Sequence, residues 1–182
     1  MHSELETLDT LLKDNAKVNC DEKAVKLVEP KAPDSKIIIG QIPKNAVLIK
    51  CDEFEAPTRI FKGGNGECKR CDYIFLFPYQ NNKYALFIEM KRGNPSNKNA
   101  IIQQLIGGRC FLDYCDSILK HFHKIKKPLN DYKSRYVCFT RTQIDKKPIK
   151  QRRRKARLTT HMSPEKFLKI SSERRVPLTR LF

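Results

Sequence analysis

The chain reads as an α/β domain with a mixed central β-sheet flanked by helices. Three observations predict this. Two aromatic and β-branched runs, Cys71 to Pro78 and Lys83 to Lys91, flank the polar break Tyr79-Gln80-Asn81-Asn82, which is the pattern of a β-hairpin. A helical pattern follows from Lys98 to about Phe122. A further apolar strand, Lys133 to Arg141, comes after that helix. A helix between two strands implies a crossover, and so a sheet with parallel as well as antiparallel pairs.

Length and composition set the frame. The 182 residues fit one domain, 1–182, long enough to bury a proper core. With 40% hydrophobic and 31% charged residues the chain is globular rather than disordered. No apolar run approaches the ~18 residues of a membrane span. The acidic start Met1-His2-Ser3-Glu4-Leu5-Glu6 lacks the basic and apolar regions of a secretory signal. Seven cysteines, an odd number in a chain too large to require disulfide staples, suit a reducing compartment. The expected location is the cytoplasm, or the nucleus in a eukaryotic host.

The elements follow in order. Leu5, Leu8, Leu11 and Leu12 have helical spacing, with Ser3 and Glu6 placed as a capping box. Residues 29–36, with Pro30, Pro33 and alternating charges, read as a connector. Ile37 to Ile39 and Ala46 to Ile49 read as strands, and Thr58 to Lys62 as another. Gly63-Gly64-Asn65-Gly66 is a tight turn, without the Lys-Ser/Thr of a phosphate-binding loop. Asn97 caps the long helix, whose inner face carries Ile101, Gln104, Leu105, Leu112, Cys115, Leu119 and Phe122. Gly107 and Gly108 would let it pack close to the sheet or kink. Ser163-Pro164-Glu165 starts a further short helix. The apolar end, Val176 to Phe182, docks either on the core or on a second copy of the chain.

The hairpin carries the chemistry. With its turn centred between Gln80 and Asn81, paired residue numbers sum to 161, and Asp72 faces Glu89. Opposite residues in an antiparallel pair have Cβ atoms roughly 4.5–5.5 Å apart, and like charges there repel. A shared proton, a nearby cation or a metal must offset this. Period-2 alternation puts Lys91 on the same face as Glu89. Oxygen ligands at this density suit a hard divalent cation, Mg²⁺ with Mn²⁺ as the alternative. The plainer reading is an edge-strand salt bridge between Glu89 and Lys91.

At Asp72 and the Glu89-Met90-Lys91 element the chain resembles the PD-(D/E)XK nuclease superfamily, over roughly residues 45–141. Cys71 stands where the named motif has proline. The resemblance implies a restriction-endonuclease-like αβββαβ core. It implies that Asp72, Glu89 and the Met90 carbonyl hold the metal, and that Lys91 orients or activates the attacking water. It points to a polar glutamine on the following helix, here Gln104 or its neighbour Gln103, that binds the scissile phosphate or holds Lys91. Gly108 stands where the family's Q-x-x-x-Y form has tyrosine. A further acidic residue from a helix before the hairpin is common in the family, and Glu4, Glu6, Glu53 and Glu55 are candidates.

Charge distribution points the same way. The net charge is +17. Residues 1–60 hold 9 Lys+Arg against 11 Asp+Glu, while residues 61–182 hold 28 against 9. A polyanion is the natural partner, and nucleic acid, DNA ahead of RNA, is the expected one. Lys69, Arg70 and Arg92 flank the motif as phosphate contacts. The run Asp145 to Arg157 is a basic arm or loop with Lys146, Lys147, Lys150, Arg152, Arg153, Arg154, Lys155 and Arg157. A zinc site from Cys68, Cys71, Cys110 and Cys115 is a lesser alternative to cysteines packed as small hydrophobes. The expected function is a Mg-dependent endonuclease. The alternatives are a non-catalytic nucleic-acid-binding module and a toxin or assembly partner whose basic tail binds an acidic protein.

Overall fold

The computed structural model describes residues 3–20, 23–29, 32–126, 129–142 and 161–182. The basic arm, including Lys146, Lys147, Arg152, Arg153, Arg154, Lys155 and Arg157, lies outside the described residues. The chain forms α1 (Glu4–Leu11), β1 (Lys17–Val18), β2 (Ala24–Glu29), β3 (Ala32–Gly40), β4 (Val47–Lys50), β5 (Tyr73–Tyr79) and β6 (Asn82–Lys91). Then come α2 (Lys98–His123), β7 (Lys133–Thr140), β8 (Leu168–Ser171) and β9 (Arg175–Pro177). The main sheet has the order β1-β4-β5-β6-β7-β8. Its β4–β5 and β5–β6 pairs are antiparallel, while β6–β7 and β7–β8 are parallel. The mixed sheet and the β6–α2–β7 crossover are therefore as the sequence implies.

Among the described residues both α-helices pack on one face of that sheet, where the sequence leads one to expect helices on both. Leu5 and Leu8 of α1 and Ile101, Leu105, Leu112, Cys115 and Leu119 of α2 pack on Ile49, Ile74, Leu76, Ala85 and Phe87. Phe122, expected on the inner face of α2, is instead exposed in the final turn of the helix. The opposite face presents Leu48, Phe75, Phe77, Leu86, Ile88, Val137 and Phe139. A second sheet of order β2-β3-β9 covers it, through Val25, Leu27, Ile37, Ile39 and Val176. Both faces are buried, so β5 and β6 read as continuous apolar runs rather than alternating ones.

The described part of the stretch read as a connector is the end of β2, Glu29, and the first half of β3, 32–36. Pro33 falls in the irregularity between the Val28–Lys36 and Glu29–Ala32 pairs, outside the β2–β3 and β3–β9 registers, and proline is tolerated at such a bulge. Thr58 to Lys62 is not a strand but a turn, in which the Ile60 and Phe61 N–H groups both donate to the Pro57 carbonyl, at 3.1 and 3.0 Å.

Local signals act as expected. Ser3 and Glu6 form the capping box of α1, and the Asn97 side chain accepts from Ala100 N–H at 3.0 Å to start α2. The C-terminal apolar residues dock on the protein's own core: Val176, Leu178 and Leu181 are buried, and the Phe182 ring meets Phe77, Tyr79 and Tyr84. His161 anchors this tail, with its Nε2–H donating to the Leu181 carbonyl at 2.9 Å while its own carbonyl accepts from Tyr136 N–H.

Burial pulls the His161 pKa below its ordinary 6.5; the Leu181 carbonyl opposes this and Arg135 adds to it. A lowered imidazole pKa means that the unfolded chain takes the proton first, so the anchor contributes fully above 6.5 and is lost as pH falls below it. His161→Gln should therefore be less stable than wild type at pH 7, with the gap narrowing by pH 5. Urea midpoints at the two pH values read this, and an unchanged gap would rule out His161 as an acid-sensitive anchor.

Candidate functional site

The hairpin has the register read from sequence, with Tyr73 opposite Ile88 through to Tyr79 opposite Asn82, so paired numbers sum to 161. Gln80, at φ 52, turns the chain. The ladder leaves this register at Asp72. Its N–H donates to the Ile88 carbonyl at 3.1 Å and its carbonyl accepts from Cys51 N–H at 2.9 Å. The Asp72 carboxylate then receives the Met90 N–H at 2.6 Å. Asp72 thus sits just before β5, tied to β4 and β6.

Glu89 and Lys91 lie on one face of β6, and Lys91 Nζ donates to Glu89 Oε1 at 2.5 Å. This ion pair is the plainer reading in substance, but not at an edge: β6 runs between β5 and β7. The Glu89 side chain is only 1% exposed, against 30% for Lys91. Glu89 Oε2 is buried and, among the described residues, has no hydrogen-bond partner.

The electrostatics are first those of two buried carboxylates, and only then of the charges around them. Burial first, and Asp72 next, push the Glu89 carboxyl up to about 8, against Lys91 and Gln104. Burial pushes Asp72 up to about 6; the Met90 N–H and Lys91 oppose this, while Glu29 and Asp52 add to it. For Lys91, burial disfavours the charge, but Glu89 and Asp72 outweigh it and hold the ammonium above its ordinary range. Without a cation, protonation of Glu89 relieves the repulsion near neutral pH.

A cleft opens over this group, lined by Glu29, Asp52, Cys68, Lys69, Arg70, Cys71, Asp72, Met90, Lys91 and Gln104. It lies where β6 ends and the crossover to α2 begins, at the carboxyl end of parallel strands, where open α/β sheets place ligands. The structure separates the two glutamines. Gln104 reaches Glu89 and favours its charged form. Gln103 instead bridges Lys69 Nζ at 2.5 Å and the Asn65 carbonyl at 3.1 Å, beneath Gly66, where an added Cβ would come within 2.8 Å of it.

The flanking cations are partly engaged. Arg70 donates to the carbonyls of Cys51 and Asp52, at 2.7 and 3.0 Å. Arg92 lies 3.6 Å from Asp34 and is mostly exposed. None of the four acidic candidates from the early chain lines the cleft. Glu4 pairs with Lys83 and Tyr132, Glu6 caps α1, Glu53 accepts from Asn15, and Glu55 is exposed. Two acids from the early chain do line it, Asp52 and Glu29; Glu29 is hidden in sequence because 29–36 reads as a connector. Its signal was the alternation of Val25, Leu27 and Glu29, which marks a strand.

The zinc alternative does not assemble. Cys71 and Cys115 are buried in the helix-facing core while Cys110 is exposed, and burial pushes the Cys115 thiol up to about 12. Among the described residues no three histidine, cysteine, aspartate or glutamate side chains are already converged on a metal position. A Mg²⁺ ion needs no such cage, since it is commonly held by one or two carboxylates and keeps several waters. The buried, unbonded Glu89 Oε2 beside Asp72 fits that requirement. No helix among the described residues is long and apolar enough to cross a membrane. Compared with known proteins, the chain matches no family model, no curated protein and no solved structure.

Proposed function

We propose that this protein is a Mg²⁺-dependent endonuclease that hydrolyses phosphodiester bonds in nucleic acid, with DNA as its first candidate substrate. The observation that carries this reading is the juxtaposition of Asp72, Glu89 and Lys91 at one end of the cleft, with Glu89 Oε2 buried and unbonded. With β1 to β3 set aside as insertions, the order α1, β4, β5, β6, α2, β7 is compatible with an αβββαβ core and supports a restriction-endonuclease-like reading.

Asp72 and Glu89 would hold the ion, with the Met90 carbonyl beside them. When bound, Mg²⁺ would polarise the phosphate and make water more acidic. The side chains do the rest. Lys91 balances Glu89 and places a positive charge where negative charge develops on the phosphate oxygens. Asp72 is held rigid by the Met90 N–H, so the two carboxylates present fixed oxygens. Gln104 supports Glu89 from α2. Lys69, on the cleft wall, and the basic residues of 145–157 would hold the substrate backbone without reading bases.

The deciding experiment is cleavage of duplex DNA, single-stranded DNA and RNA in Mg²⁺, Mn²⁺ or EDTA, with Lys91→Ala alongside wild type. Cleavage that needs the metal and falls by at least about 10²-fold in the variant is expected. Salt-dependent binding without metal-dependent turnover would instead make the protein a non-catalytic nucleic-acid-binding module.

A further inference from the structure

We infer that Glu29, delivered by the second sheet, is an outer partner of the cation site and accepts hydrogen bonds from water held on the cation. The inference rests on the cation-site reading above, and extends it to a residue from a different sheet.

Glu29 is the last residue of β2, and the β2–β3 register shifts between Val28 and Glu29. Such an irregularity re-aims the side chain that follows. The turn of chain is pinned from the main sheet: the Tyr73 hydroxyl donates to the Val28 carbonyl at 2.6 Å and accepts from the Val28 N–H at 3.2 Å. Tyr73 directly follows Asp72, so one residue of β5 fixes both the Asp72 backbone and the position of Glu29. Glu29 lines the cleft and adds to the upward push on the Asp72 carboxyl.

Its Oε2 atom is buried and, among the described residues, has no hydrogen-bond partner. The basic side chains on the cleft wall are engaged elsewhere: Lys91 with Glu89, Lys69 with Gln103, Arg70 with the carbonyls of Cys51 and Asp52. A buried carboxylate oxygen left without a partner is costly, and Glu29 adds its carboxylate to a cleft that also holds Asp52, Asp72 and, at its end, Glu89. A cation with its water shell answers this crowding of negative groups. Among the described residues no three such side chains converge for direct ligation, which leaves Glu29 the role of accepting from the water shell that Mg²⁺ keeps.

The test is Mn²⁺ titration of the full chain without nucleic acid, with free Mn²⁺ read by electron paramagnetic resonance. Glu29→Gln should weaken Mn²⁺ binding by about 10- to 100-fold, the usual cost of losing an outer-shell partner. Glu53→Gln, which removes an exposed acid outside the cleft, should leave it unchanged. Tyr73→Phe keeps the carboxylate and loosens its anchor, so it should also weaken binding and serves where Glu29→Gln does not fold. Wild-type affinity in Glu29→Gln overturns the inference, as do equal losses in Glu29→Gln and Glu53→Gln, which would mean bulk charge alone. Asp72→Asn reports on the underlying reading: wild-type Mn²⁺ affinity there removes the cation site itself, whatever Glu29 does.

Discussion

Glu89→Ala is expected to remove metal-dependent cleavage by about 10³-fold or more while nucleic-acid affinity holds or tightens. The rate effect follows from losing an anionic ligand together with the charge balance of Lys91. The binding effect follows from Coulomb's law, because a carboxylate facing phosphate is removed. Glu89→Gln separates site from scaffold. The raised Glu89 pKa means that the folded state holds its proton up to about 8 while the unfolded chain releases it near 4.5. Folded-state stability therefore falls as pH rises through that window. Glu89→Gln has no such proton to lose. In chelator its unfolding midpoint should exceed wild type at pH 8, with a smaller difference at pH 5. Loss of binding and folding together with activity would mark Glu89 as a scaffold residue instead.

Gly107→Ala is expected to destabilise the fold by about 3 kcal/mol or more, at the upper end of overpacking costs. An added Cβ there would lie 1.8 Å from the Lys69 carbonyl oxygen, and one on Gly108 would lie 2.3 Å from Cys71 Sγ. The obstacle at Gly107 is backbone, which has no rotamer to turn away. The helix must lift, or the 69–71 segment must move, and that segment leads directly into Asp72. Denaturant unfolding measures the loss, and the Mn²⁺ affinity of the folded fraction should fall with it. Gly93→Ala is the control, since nothing stands within 4 Å of a Cβ there. Equal effects at the two glycines would remove close packing as the cause.

These two expectations differ in how far they could be read from the chain. The Glu89–Lys91 pair and its nearness to Asp72 were legible, because a two-residue turn sets hairpin register and period-2 alternation places the side chains within it. The step at Asp72, where the ladder shifts and the carboxylate takes the Met90 N–H, was not. The close approach at Gly107 and Gly108 was legible as a permission; its partner, the 69–71 backbone, was not. Gln103 and Gln104 were indistinguishable as neighbours, and only the seat of α2 on the sheet turns Gln104 to Glu89 and Gln103 to Lys69.

What the sequence determined by itself is local: the capping of α1 and α2, the hairpin and its register, the crossover, and the three charged groups at the hairpin's end. These depend on periodicity and turn chemistry within a few residues of one another. What only the tertiary structure decided is which surfaces meet. The second sheet over β5 and β6, the single-sided placement of the helices, the sixth strand β8 and the arrival of Glu29 beside Asp72 all join segments tens of residues apart. Burial of apolar area drives such meetings without direction, so a short alternating run such as Ala24 to Glu29 states that it needs a cover, and leaves the choice of partner to the packing of the whole chain.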